Sequence, residues 1–326
     1  GQRRLQSSDT RRHRASKRTP TRVKFKIPML QTHSNQPINI ILDTDIGDDV
    51  DDALALVVAL NSPEINLVGV TTVFRDAPKR AILAREVLRL LKREEIPVFA
   101  GCSDPILPDW DNFHEGRTLG RQFEALDSAL KWEDTRHAVD FLIQTIREFY
   151  ARGERLTVVT IGALTNLAIA FRLAPDCVQK CDVVMMAGRW NKKYGEWNII
   201  CDPDAAAMVF ESGANLKMVG LDVTRQCVLA DEQVALFHSS PHEHARFLGQ
   251  LIELWGHEVT LHDPLTILAL FTDLVTFEPM RLQVQSKNPE MRIYTTPVEG
   301  EPNLQAATKV RAQDAVALFL ERTLGA

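Results

Sequence analysis

The sequence predicts an α/β fold: a single domain with a mostly parallel central sheet flanked by helices, of the open Rossmann-like kind. Two observations carry the prediction. From Pro37 to Leu221 short β-branched apolar runs alternate with helical patterns, the order that strand–helix–strand crossovers require. No linker or internal repeat divides residues 35–326, so they read as one domain with one large core.

The elements follow in order. Ile38–Leu42 is a β-branched run that ends in acids, and Ala53–Leu60 behind it has the unbroken apolar character of a buried helix. Asn66–Val73 reads as a strand, Ala77–Lys92 as an amphipathic helix and Pro97–Ala100 as a short strand. Thr135–Ala151 is the next helix, Leu156–Ile161 a strand, and Leu164–Leu173 the helix that follows. Asp182–Ala187, Asp204–Glu211 and Leu216–Leu221 repeat the strand–helix–strand order. Beyond them the pattern turns helical at Asp231–His238, Glu243–His257 and Pro264–Leu270. Strand-like runs return at Arg281–Gln285, Arg292–Thr296 and Leu304–Val310. The helix Gln313–Thr323 closes the chain, with Val316, Leu318, Phe319 and Leu320 on a broad apolar face.

Composition narrows the function classes. With 45% apolar and 25% charged residues the chain is ordinary for a globular protein. No apolar run approaches the roughly 20 residues that span a bilayer, so a soluble protein without a membrane partner is expected. The five cysteines are scattered and odd in number, which suits reduced thiols in a cytoplasmic setting. Cys177 and Cys181 lack the second pair that a structural zinc site needs. Residues 1–30 hold ten Lys or Arg against one acid, Asp9; that segment carries +9 and the rest of the chain about −14. Residues 1–34 are therefore read as a basic tail. Three origins stay open for it: a processing or cloning remnant, an organelle-targeting peptide, or a polyanion-binding arm. A targeting origin would make the location organellar. For the acidic body no nucleic-acid partner is expected.

The segment richest in chemistry runs from Asp43 to Asp52. Asp43, Asp45, Asp48, Asp49, Asp51 and Asp52 put six carboxylates into ten residues, after an apolar strand and before a helix. Like charges that close require either protonation or a cation, and a hard cation such as Ca²⁺ takes six to eight oxygens. Helix capping can occupy one or two of the six, hardly all. Other acidic motifs fit poorly. An EF-hand starting at Asp43 needs an oxygen ligand where Gly47 stands, and a haloacid-dehalogenase-type phosphatase using Asp43 expects Thr or Val at that same place. Walker A and Gly-x-Ser-x-Gly motifs are absent, and His257-Glu258 has Leu261 where a zincin needs its second His.

Four ordered segments resemble the nucleoside hydrolase (inosine-uridine preferring nucleoside N-ribohydrolase) family. They are Asp43-Thr44-Asp45-x-Gly47 with Asp51-Asp52-Ala53-Leu54-Ala55-Leu56; Thr160-Ile161-Gly162-Ala163-Leu164-Thr165-Asn166; Glu196-Trp197-Asn198 with Asp202-Pro203-Asp204-Ala205-Ala206; and His262-Asp263-Pro264-Leu265. The resemblance implies a Ca²⁺-dependent N-ribohydrolase that releases base and ribose from a ribonucleoside, in a homodimer or homotetramer. It implies Ca²⁺ held by Asp45, Asp52, Asp263 and the main-chain carbonyl of Ile161. Asp45 would take the proton of the attacking water, and His262 would donate one to the leaving base. Asp51 would contact ribose or water; Asn166, Glu196 and Asn198 would hold sugar hydroxyls; Asp43 would orient its neighbours. Trp255 sits at a core spacing, with stacking on the base as the lesser reading. A Ca²⁺-dependent ribosyl-binding protein without turnover, or a hydrolase of a modified ribosyl compound, is the alternative.

The chain departs from the family pattern in three places. Ile46 replaces a Pro, and two extra residues precede Asp51-Asp52, so either Asp48-Asp49 or Asp51-Asp52 can inherit the metal role. The helix register of Ala53-Leu54-Ala55-Leu56 favours the later pair. Arg75-Asp76 stands in place of a Gly-Asn after Thr71-Thr72-Val73. Between Gly188 and Glu196 a short segment carries Asn191, Lys192 and Lys193, which leaves the substrate's base open.

Overall fold

The computed structural model describes residues 36–107, 120–288, 290, 291 and 293–325; the basic tail expected over 1–34 lies outside them. In chain order its main elements are β1 (Ile38–Thr44), α1 (Asp51–Asn61), β2 (Ile65–Thr72), α2 (Ala77–Leu90), β3 (Val98–Ala100), α3 (Ala138–Ala151) and β4 (Leu156–Thr160). Next come α4 (Thr165–Leu173), β5 (Cys181–Met186), α5 (Trp197–Cys201), α6 (Pro203–Phe210), β6 (Asn215–Val219) and α7 (Leu221–Thr224). The chain ends with α8 (Asp231–Ser239), α9 (Glu243–Trp255), α10 (His262–Leu268), β7 (Val275–Met280), β8 (Leu282–Val284), β9 (Thr295–Pro297), β10 (Leu304–Val310) and α11 (Ala312–Leu324).

Eight strands form one sheet in the order β3-β2-β1-β4-β5-β6-β10-β7. All pairs are parallel except β10 with β7. Successive side chains of a strand face opposite sides, and both sides are covered. Ile40 and Leu42 join the core beneath α1, α2, α9, α10 and α11, whereas Ile41 joins the core beneath α3, α4 and α6. The same alternation separates Val184 and Met186 from Val183 and Met185 on β5. α1 is buried from Asp51 to Ala59, as a helix that is apolar on every side must be.

The topology locates the site. From β1 the chain builds outward to β2 and β3, then returns to add β4 on the other side of β1. The strand order therefore switches direction between β1 and β4, and open α/β sheets bind ligands beyond the carboxyl ends of the strands at such a switch. Asp43, Thr44 and Asp45 at the end of β1 and Ile161 after β4 meet there.

The structure bears out the mostly parallel sheet and corrects several boundaries. β7 has no counterpart in the sequence reading, because Val275–Met280 is largely exposed and contains Pro279, tolerable only on the edge strand that β7 is. The short helices α5 and α7 were also unread, being too brief for periodicity to register. Of the strand expected over Arg292–Thr296, Arg292 lies outside the described residues, and Thr295–Pro297 forms β9, which pairs with β8.

Candidate functional site

The acids after β1 do not share one environment. Thr44 donates its hydroxyl to Asp52 Oδ1 at 2.5 Å and accepts from the Ile46 amide at 3.0 Å, tying the end of β1 to the start of α1. Asp43 accepts from Thr71 Oγ1 at 2.6 Å and Asn166 Nδ2 at 2.8 Å. Burial pushes its carboxyl up to about 7 against those two bonds. Asp49 Oδ1 receives the Val50 amide at 2.6 Å and the Asp51 amide at 3.4 Å, closing the first turn of α1. Burial raises its pKa to about 6.

Gly47 lets the loop turn. Its φ is +110°, and a Cβ there would lie 2.2 Å from the Phe123 ring. From a 3-10 turn at Arg121–Ala125, the buried Gln122 donates to the carbonyls of Asp48 (3.2 Å) and Asp49 (2.8 Å). Gly162 permits the approach of β4 from the other side: a Cβ would come within 2.8 Å of the Asp45 amide.

α1 packs against α10, which sets the amino ends of the two helices side by side. Asp51 Oδ2 accepts the Asp263 amide at 2.9 Å. Carboxylate oxygens of Asp51, Asp52 and Asp263 converge within 4.8 Å of one another, all buried. Burial first, then repulsion from neighbouring acids, raises all three carboxyls well above the usual range. Asp45 stands beside them, close enough for its charge to act on Asp52 and Asp263. Burial brings it up to about 7, opposed by Arg80, and its Oδ2 is buried without a hydrogen-bond partner. A donor set made only of oxygens, mutually repelling and partly unpartnered, fits a hard divalent cation.

A cavity of about 700 Å³ opens over this cluster. Its lining includes Asp45, Asp51, Asp52, Ile161, Glu196, Asn198, His262 and Asp263, which the sequence reading had placed in one site. Glu196 is the N-cap of α5: its carboxylate receives the amides of Gly188 (2.9 Å), Asn198 (2.9 Å) and Ile199 (3.1 Å), while burial raises its pKa. Asn198 Nδ2 donates to the carbonyls of Ile161 (3.1 Å) and Met186 (3.0 Å), so the Ile161 oxygen keeps one lone pair for another partner. His262 Nδ1 lies 2.7 Å from Thr224 Oγ1. Burial, then Arg225, lowers its pKa to about 4.

The structure does not bring Asn166 to the cavity. Its Nδ2 serves Asp43 and the Thr72 carbonyl (3.1 Å), and its Oδ1 accepts the Cys102 amide at 2.8 Å. It is fully buried and fastens Asp43 to the ends of β2 and β3. Trp255 is half-buried against the core, as its spacing suggested, and also lines the cavity. Of the two acidic pairs, Asp51-Asp52 belongs to the converging group, whereas Asp48 pairs with Arg80 at 3.1 Å.

Sequence reasoning missed Arg80, Gln122, Thr224 and Arg225. Arg80 sat among the polar positions of an amphipathic helix; only its contact with the enlarged loop distinguishes it. Phe74 and Arg75 both take positive φ, +70° and +54°, and Arg75 stands where the related pattern carries Gly. Such backbone costs of order 1 kcal/mol or more per residue, and Arg75 consequently lines the cavity.

Comparison with known proteins places the chain. A sequence profile described as inosine-uridine preferring nucleoside hydrolase matches residues 40–317. A pyrimidine-specific ribonucleoside hydrolase of Enterobacter is 36% identical, over 70% of this chain and 77% of its own. A uridine nucleosidase of Arabidopsis thaliana is 28% identical, over 76% of this chain and 78% of its own. Among solved structures, a purine-preferring ribonucleoside hydrolase from Gardnerella vaginalis superposes with a TM-score of 0.74 at 29% identity, covering 88% of this chain and 98% of that one. With its switch-point cavity, buried acids and these relatives, the chain belongs to the inosine-uridine preferring nucleoside hydrolase family and is a hydrolase of N-glycosyl bonds.

Proposed function

We propose that residues 35–326 form a Ca²⁺-dependent catalytic domain that hydrolyses the N-glycosidic bond of a ribonucleoside, giving free base and ribose. The observation that carries this reading is the convergence of Asp51, Asp52 and Asp263 beside Asp45 and His262 in one cavity. Asp45, Asp52, Asp263 and the Ile161 carbonyl would hold the ion, with Asp51 facing it or the ribose. When bound, the ion supplies an anchor for vicinal hydroxyls and acidifies a water.

The remaining work falls to the chain. Asp45 has an unpartnered buried oxygen with which to accept the proton of the attacking water. Glu196 and Asn198, fixed by α5, orient sugar hydroxyls and place negative potential near the positive charge that develops on the ring. His262, held through Nδ1 by Thr224, has Nε2 left to serve the leaving base. Asp43 holds the end of β1 through Thr71 and Asn166.

A panel of purine and pyrimidine ribonucleosides, assayed for ribose with Ca²⁺ and with excess chelator, tests the reading. Ribose release that chelator abolishes is the expected result. Binding of nucleosides without release, or release of phosphate from sugar phosphates with Mg²⁺ instead, would overturn it.

A further inference from the structure

The cavity is lined by buried acids and by the more exposed Arg75, Arg225, Tyr194 and Trp255. Arg225 has no part in the chemistry described so far. Its place is set by α7, which it caps at the carboxyl end, directly after the Thr224 that holds His262. One turn of chain therefore carries both the support of His262 and a guanidinium that lines the same cavity. The Arg225 guanidinium carbon lies 4.5 Å from the centre of the Tyr194 ring, a cation–π distance. Its charge reaches the His262 ring. No carboxylate pairs with it among the described residues, although acids line the same cavity. An exposed cation kept beside aromatic surface and without an acidic partner is available to an anion that enters the cavity.

We infer that Arg225 is a further catalytic residue, which meets the negative charge that develops on a departing oxo-pyrimidine base. The inference rests on the proposed hydrolytic reading of the cavity. As the water oxygen bonds to the anomeric carbon, the C–N bond breaks and its electron pair stays on the base nitrogen. In a pyrimidine-2,4-dione that charge spreads onto the ring carbonyl oxygens, acceptors that a guanidinium recognises with paired donors. The proton lost by the water restores the neutral base, through His262 or through solvent. Tyr194 holds the guanidinium in place and offers the base a ring face.

The test is a comparison of 5-fluorouridine, uridine and 5-methyluridine, whose bases differ in acidity, in wild type, Arg225→Lys and Arg225→Gln, all loaded with Ca²⁺. Removal of a preorganised donor to developing charge costs about 10²-fold in kcat. Arg225→Gln should lose about that much with uridine, more with 5-methyluridine and less with 5-fluorouridine, so that the dependence of rate on base acidity steepens. Arg225→Lys should recover part of the loss. Arg225 is exposed, so unchanged thermal midpoints should accompany these effects. An equal loss across the series, or none, would overturn the role. So would a loss confined to uridine 5′-phosphate, which would make Arg225 a phosphate contact. If the wild type cleaves purine nucleosides but none of the three uridines, the oxo-pyrimidine assignment fails while the hydrolase reading stands; if it cleaves no nucleoside, both fail.

Discussion

Arg80 and Asp48 form an ion pair of 3.1 Å beneath the enlarged acidic loop, and the arginine side chain has no solvent exposure. The same guanidinium donates to the carbonyls of Phe74 (2.8 Å), Ile46 (3.1 Å) and Asp45. It therefore ties the loop to the positive-φ turn at Phe74-Arg75 and sets a fixed positive charge under the acids. Breaking a buried pair by removing one partner costs about 3–5 kcal/mol. Arg80→Met should lose stability on that scale in urea unfolding and weaken calcium binding. Arg80→Lys should fall between, because an ammonium keeps the charge but cannot span three carbonyls and a carboxylate. A variant as stable as wild type would show that the loop does not depend on this contact.

Asp52 and Asp263 carry the metal assignment. Loss of an outer partner of a metal site typically weakens affinity about 10–100-fold. Asp52→Asn and Asp263→Asn should each exceed that in calorimetric titration with Ca²⁺. Asn166→Ala, which removes a support of Asp43 and no cavity contact, should affect stability more than the KM for nucleoside. A KM effect without a stability effect would return Asn166 to the sugar.

His262 and Thr224 can be separated. His262→Ala should lower kcat by about 10²–10⁴ while calcium affinity is kept. Thr224→Val removes the partner of Nδ1 and leaves the imidazole, so a smaller loss is expected. Unchanged turnover of His262→Ala with purine and pyrimidine nucleosides alike would remove it from the chemistry.

The acid cluster also fixes how pH acts on the metal-free protein. Asp43 and Asp45 are raised from 3.8 to about 7, and Asp49 to about 6, each chiefly by burial. Between roughly pH 4 and 7 the folded state then binds more protons than the unfolded chain, so stability falls as pH rises through that window. Chelator-treated protein should have a lower thermal midpoint at pH 8 than at pH 5.5, and Ca²⁺ should raise the midpoint more at pH 8. Titration at pH 6.5 in buffers of different ionisation enthalpy should show protons released on binding. A midpoint that rises with pH in chelator would contradict the assignment.

Much of this arrangement was legible in the sequence, for identifiable reasons. Strand–helix alternation gave the parallel sheet because two-sided burial makes each strand a continuous apolar run, as Ile40, Ile41 and Leu42 show. Asp51-Asp52 could be favoured over Asp48-Asp49 because α1 begins there and its register is set by buried Ala and Leu positions. What stayed hidden was long-range. Arg80 is 32 residues from Asp48, and Gln122 is 74 from it; nothing local marks either as a support of the loop. Asn166 was ambiguous because an amide in a glycosidase-like motif suits a sugar as well as a buried carboxylate. Its bond to Asp43 joins residues 123 apart in sequence at 2.8 Å, a contact no local pattern marks.

In the proposed reaction one bound calcium ion per chain is required for hydrolysis. The most direct measurement takes protein dialysed against chelator, titrates Ca²⁺ back, and follows ion occupancy and ribose release from a nucleoside on the same sample. No ribose is expected at zero occupancy, and the rate should rise in proportion to one site filled per chain. Full turnover in chelator, or a filled site with no turnover of any nucleoside, would contradict it.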